Sequence, residues 1–210
     1  MTGARRKELQ LSAALFAPAF LIMAVVTFYP LVASFAISLR QWDLMRPDLG
    51  RPFVGLDNYR YILSDPAFWE SVRITLIFVF LAVTIEITLG LAVALMLNRP
   101  FHGRTVVRLL ALLPWAVPSV VNGIMWKWIL NPSYGAANGL LYQLGIIDEY
   151  IIWLGDPELA LLMVVWADVW KETSFIMLLF LAALQTIPDE LYEAAIVDGA
   201  NTVQRFINVT

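Results

Sequence analysis

The sequence predicts an all-α fold: a polytopic membrane helix bundle with four transmembrane helices, followed by a polar helix–turn–helix. Three observations lead there. Hydrophobic residues make up 60% of the 210 positions and charged residues only 15%, where a soluble domain carries about 25% charged. Four apolar runs are each long enough to cross the roughly 30 Å hydrocarbon core as helices, which satisfy their own backbone groups in lipid. Positions 188–210 then turn polar while keeping helical spacing.

The elements follow in order. A tail, 1–10, holds Arg5, Arg6 and Lys7. The first run, 11–39, contains no charged residue. It is longer than the bilayer requires, so it must tilt or bend, and Tyr29-Pro30 is the expected bend. Signal-peptide cores run only about 7–15 residues, so this run reads as a retained span. The second, third and fourth spans are expected over 72–97, 106–129 and 159–184, within a membrane domain covering 11–187. The loops between them, 40–71 and 130–158, look ordered. "PFVGLDNYRYILSDPAFWESV" mixes aromatics with turn formers, and Ser64-Asp65-Pro66 suits a helix start. The second loop is punctuated by Asn-Pro, Ser-Tyr-Gly, Asn-Gly and Gly-Asp-Pro turns.

Orientation follows from lysine and arginine placement. With the N-terminus inside, the cytoplasmic segments hold Arg5, Arg6, Lys7, Arg99, Arg104, Arg108 and Arg205. The first outside loop holds Arg40, Arg46, Arg51 and Arg60, and the second holds no basic residue. The bias is modest and favours a cytoplasmic N-terminus, which puts 188–210 in the cytoplasm too.

Ionisable residues within spans cost about 2.5–3.5 kcal/mol each near a helix centre, so each needs a reason. They are Glu86 in the second span and Asp168, Lys171 and Glu172 in the fourth. The last three can share one helix face. Two readings stand: a polar strip along a water-filled route, or buried ion pairs that hold helices together. Trp42, Trp69, Trp126, Trp128 and Trp153 fall where an outer aromatic belt is expected. Trp166 and Trp170, beside Asp168, are the tryptophans placed to touch a solute.

In the closing segment, "ELYEAAIVDGANTVQRF", Pro188 ends the fourth span and Asp189 suits an N-cap or a first-turn carboxylate. Leu191, Tyr192, Ala195 and Ile196 share one face. Asp189, Glu190, Glu193 and Asp198 lie on the other side. Gly199 supplies a C-terminal turn. Asn201 and Gln204 form a capping-box pattern for a second short helix. Such helices are too short to stand alone, so the apolar face must rest on something. A lipid surface is one option, although the acidic residues disfavour an anionic leaflet. A partner protein is the other.

Here the sequence resembles a known family. "IPDELYEAAIVDGA" is similar to the EAA signature of permease subunits of ATP-binding-cassette importers. "APAFLIMAVVTFYPLVASFAISL", "FVGLDNYRYILSDPAFWESVRITLIF", "LGLAVALMLN" and "NPSYGAANGLL" resemble the carbohydrate-type, maltose-system subgroup. The resemblance implies a bundle of about six spans, of which four are present, so that the chain looks truncated after its signature. It implies that 188–210 is a cytoplasmic coupling segment seated in a cleft of the ATP-binding subunit, with the motif carried by Glu193, Ala194, Ala195, Asp198, Gly199 and Ala200. It also implies the partners: a second homologous permease, two ATP-binding subunits, an extracytoplasmic solute-binding protein, and a sugar or related polyol as solute.

Other classes fare worse. An ion-coupled secondary transporter would use Glu86 and Asp168 as ion sites, but no paired broken spans are visible. There is no cysteine and a single histidine, His102, so no Cys- or His-rich metal site is expected. No cofactor fingerprint or nucleophile–base pair points to an enzyme. No P-loop occurs, so if the protein uses ATP something else must bind it, and the resemblance implies hydrolysis in a separate partner subunit. The net charge of −3 does not suggest nucleic acid.

Overall fold

The computed structural model describes residues 3–46, 48 and 50–210, with side chains from Leu11 onward. The basic cluster Arg5, Arg6 and Lys7 therefore lies outside the described side chains. The chain forms two compact units, one through Arg73 and one from Ile74.

In the first unit, α1 (Gly3–Met23) passes through a π-helical turn, Ala24–Phe28, into α2 (Tyr29–Ser38). The expected irregularity at Tyr29-Pro30 takes this form. Proline lacks an N–H and its ring crowds the preceding turn, and one wide turn absorbs both defects while the helix continues. Leu11–Ser38 remains long and apolar enough to cross a membrane, with its side chains exposed all round. The connection that follows is ordered by polar contacts. Asn58 donates to the carbonyls of Ser38 and Arg40 at 2.8 and 2.9 Å. Tyr59 and Ser38 share a hydroxyl bond of 2.6 Å. The Arg51 guanidinium stacks 3.8 Å over the Trp42 ring. A short helix, α3 (Asp57–Ser64), ends at Asp65. The Asp65 carboxylate then accepts from Ala67 N–H at 2.9 Å and starts the next helix at Pro66, as Ser64-Asp65-Pro66 suggested.

That helix, α4 (Pro66–Asn98), runs 33 residues, so it begins before the apolar run itself. In the second unit it buries Ala82, Glu86, Gly90, Ala94 and Leu97. The spacing of four residues, and of three at the end, makes one stripe, and small side chains in it permit close helix approach. A Cβ on Gly90 would lie 2.7 Å from Ile176 Cγ2.

The expected third span is not one straight helix. It is α5 (Arg104–Ala116) and α6 (Ser119–Ile129), bent by 91°. Val117 is extended, as a residue before proline prefers, and Pro118 cannot donate to the preceding turn. Arg108 donates to Leu97 O at 2.9 Å, satisfying a carbonyl at the end of α4 that has no intrahelical partner.

The loop 130–158 contains α7 (Ala136–Gln143). Asn138-Gly139, expected as a turn, lies inside this helix, with Asn138 fully buried. Next, α8 (Pro157–Leu184) starts at Asp156, whose Oδ1 accepts from Glu158 and Leu159 N–H at 3.0 and 2.9 Å. Met177, Leu181 and Leu184 of α8 pack with Ala94 and Leu97 of α4, while Val165 and Val169 pack with Ala82. Two short helices close the chain, α9 (Asp189–Val197) and α10 (Thr202–Asn208). Two helices are long and apolar enough to cross a membrane alone, or up to four if each bent pair counts as one span.

Candidate functional site

Helix α8 carries every candidate for the solute's path except Glu86, and its periodicity divides them. Residues two apart point to nearly opposite sides. Trp166 and Trp170 line a cavity of about 250 Å³ with Leu89, Val93, Thr173 and Ser174. Asp168, Lys171 and Glu172 line another, about 370 Å³, with Asn122, Trp126 and Lys127. The tryptophans and the charged triplet thus do not form one strip.

The charged cavity lies between α6 and α8. Lys171 Nζ meets Glu172 Oε1 at 2.5 Å. Neighbouring helical residues do not face each other, so the flexible lysine stem must curl to make this pair; the Lys171 side chain is 12% exposed and that of Glu172 34%. Asn122 donates to Ala167 O at 3.2 Å, tying α6 to α8. Its Oδ1 is buried without a hydrogen-bond partner, as is Trp126 Nε1. The cavity wall carries two carboxylates, Asp168 and Glu172, and two ammonium groups, Lys127 and Lys171.

Two of these residues were not legible as candidates. Asn122 interrupts an apolar run, "VVNGIMW", and a polar residue at membrane depth was the available signal. Trp126 was read as part of the outer belt, yet its ring stands edge-on to Trp170, with centroids 6.1 Å apart, and lines the charged cavity. On the other cavity, Thr173 Oγ1 is likewise buried and unpaired.

Glu86 lines neither cavity. It is 8% exposed in the α4 stripe, with Oε1 unpaired among the described residues. Asp168 and Glu172 lie within its electrostatic reach.

The closing unit is built by local rules. Pro188 precedes α9, and Asp189 and Glu190 occupy its first turn, where carboxylates favour the helix dipole. Gly199 takes φ +77°. Ala200 N–H returns to Ala195 O at 2.9 Å and Gly199 N–H to Ile196 O at 3.0 Å, the two bonds of a Schellman turn. Asn201 and Gln204 exchange both capping-box bonds, at 2.8 and 2.9 Å. Tyr192 and Ala195 are half-buried, whereas Leu191, Ile196 and Val197 stay exposed. Glu193, Ala194, Asp198 and Gly199 are exposed and Ala200 is half-buried.

A family model described as the binding-protein-dependent transport system inner membrane component matches residues 86–210, which include Glu86, both short closing helices and, apart from Phe78, the walls of both cavities. The chain belongs to this family. The permease is 42% identical over 204 residues to the trehalose/maltose transport system permease protein MalF of Thermococcus litoralis, covering 97% of this chain and 68% of that protein. It is 36% identical to the sulfoquinovosyl glycerol transport system permease protein SmoG of Agrobacterium fabrum, covering 95% and 64%. It is 38% identical to the trehalose transport system permease protein SugA of Mycobacterium tuberculosis, covering 99% and 66%. The chain thus spans about two thirds of the length of these relatives. Its fold matches a crystal structure of a bacterial ABC transporter involved in import of the acidic polysaccharide alginate, with TM-score 0.77 at 23% identity over 97% of this chain and 67% of that one. Membership makes it a membrane protein of the transport-permease class, not an enzyme class, and sets aside the ion-coupled alternative.

Proposed function

We propose that this permease forms part of the passage for a sugar or related polyol in an ATP-driven, binding-protein-dependent importer. It lies in the cell's inner membrane as a multi-pass protein with a cytoplasmic N-terminus. The names of its sugar-transporting relatives support the solute class. So does the charged cavity between α6 and α8. Its formal charges balance, and Ser119, Asn122 and Trp126 stand with the charged residues in its wall, a mixed polar and aromatic lining suited to a neutral, hydroxyl-rich solute rather than an ion.

ATP hydrolysis belongs to a separate subunit, and the pair α9–α10 is the part that subunit grips. The observation that carries this reading is the exposure of Leu191, Ile196, Val197, Val203 and Ile207 on a unit whose turn and caps are fully formed. A rigid peg with uncovered apolar side chains and the acidic residues Glu193 and Asp198 can pass on a partner's closure as rigid-body motion. The complete importer pairs this permease with a second homologous one, two ATP-binding subunits and an extracytoplasmic solute-binding protein.

The test is co-purification of the ATP-binding subunit together with uptake, for Glu193→Lys and Gly199→Pro in the assembled transporter. Both variants are expected to insert normally, lose the ATPase and lose uptake. Retention of the ATPase and of uptake in both would remove α9–α10 from the coupling role.

A further inference from the structure

A cavity of about 710 Å³ opens beside the closing helices. Its walls include Asn98, Arg99, Tyr192, Thr202, Arg205 and Phe206, and none of its lining residues is acidic. Neither guanidinium has an acidic partner among the described residues. Arg205 donates to Thr202 Oγ1 at 3.2 Å, and its Nε is buried without a partner. Two arginines brought to one cavity, with hydroxyls and an amide beside them in its wall, make an anion site of the kind a phosphate fits.

A second cavity, about 670 Å³, adjoins it. The two share Leu95, Arg99 and Pro100 in their walls. Apart from Arg99 the second is lined by apolar residues, among them Met96, Phe101 and Val107. Arg99 therefore stands between a chamber that holds a second arginine with hydroxyl and amide groups and one that is otherwise apolar. The pair sits just past the C-terminal end of α4, where a helix of 33 residues has run past the hydrocarbon core. A phosphate joined to a hydrocarbon tail meets both halves. Free phosphate would use only the first.

We propose that these joined cavities bind one anionic phospholipid, with its phosphate between Arg99 and Arg205 and an acyl chain along Met96, Phe101 and Val107. Basic pockets at the end of membrane helices take anionic headgroups for the same electrostatic reason. Occupancy would tie the end of α4 to α10. Tyr192 OH and Thr210 Oγ1, 3.0 Å apart, join α9 to the residues after α10, so the lipid would hold the whole closing unit. This inference needs a membrane around the chain and does not depend on an ATPase partner.

The test extracts the full chain from membranes of equal phosphatidylglycerol and phosphatidylcholine content and measures retained lipid by native mass spectrometry. The unaltered chain is expected to retain phosphatidylglycerol selectively. In Arg99→Gln/Arg205→Gln that retention should drop about tenfold or more, with helix content unchanged, while Arg99→Lys/Arg205→Lys keeps most of it. A photoactivatable phosphatidylglycerol needs no variant, and should label peptides covering 95–107 and 202–210. Equal retention of both lipids, or labelling confined to other segments, overturns the proposal. Displacement of the lipid by millimolar inorganic phosphate as effectively as by phosphatidylglycerol overturns it in favour of a free-phosphate site.

Discussion

Trp153 donates its indole N–H to Asn138 Oδ1 at 2.9 Å, and that amide is completely buried. Asn138 also accepts from Ile151 N–H at 3.1 Å and donates to Ile151 O at 2.9 Å. One side chain thus holds α7 against the strandless stretch 150–153. Asn138→Leu is expected to orphan the Trp153 and Ile151 groups together, at about 1–3 kcal/mol for each group left buried. The readouts are thermal unfolding in detergent and proteolysis of 144–156. An unchanged Tm with an unchanged cleavage rate would show that the amide is not structural.

Gly90 is a point of close approach between α4 and α8. Gly90→Val must push a β-carbon into Ile176 and its neighbour Met177, whose backbone N lies 3.1 Å from the ideal Cβ position. Such overpacking costs about 1–3 kcal/mol. Gly139, in α7, has nothing within 4 Å of its ideal Cβ, so Gly139→Ala should be neutral or slightly stabilising through helix propensity. Paired melting curves test this. Equal effects at the two glycines would mean that α4 and α8 can separate freely.

What could be read in advance tracks how local the cause is. The helix–Gly199–helix unit was legible residue by residue, because caps and turns act over three or four positions. Long apolar runs were legible as helices because lipid leaves the backbone few options. The break at Pro118 was not, because 106–129 is apolar enough taken together to read as one span while the direction of the chain changes. Trp166, Asp168 and Trp170 were grouped by sequence adjacency, which on a helix means opposition. The cavity between α6 and α8 needed tertiary information: Asn122 and Trp126 gain meaning only when Ala167 and Trp170 are seen beside them.

The capping box predicts a local effect. Asn201→Ala removes the acceptor for Gln204 N–H and is expected to cost about 0.5–2 kcal/mol in the stability of α10. Its signature is faster amide exchange over 202–208, with exchange in α8 unchanged. Asn201→Asp retains the acceptor and should restore most of the protection. If exchange in α10 does not respond to either change, packing rather than capping holds this helix.

Lys171 and Glu172 predict a coupling energy. Lys171→Met leaves two carboxylates of the cavity wall, Asp168 and Glu172, with Lys127 as the remaining ammonium group there. Glu172→Gln leaves the largely buried ammonium of Lys171 without the charge of its paired carboxylate. Each single change should therefore destabilise more than the pair is worth, because the surviving charge keeps its desolvation cost. The double variant Lys171→Met/Glu172→Gln should recover part of the loss, giving an interaction of about 0.5–3 kcal/mol in a double-mutant cycle. The same four proteins assayed for solute uptake separate the two roles of the site. If uptake follows stability through the cycle, the pair is a strut. If the double variant regains stability but not uptake, Lys171 and Glu172 belong to the solute's path.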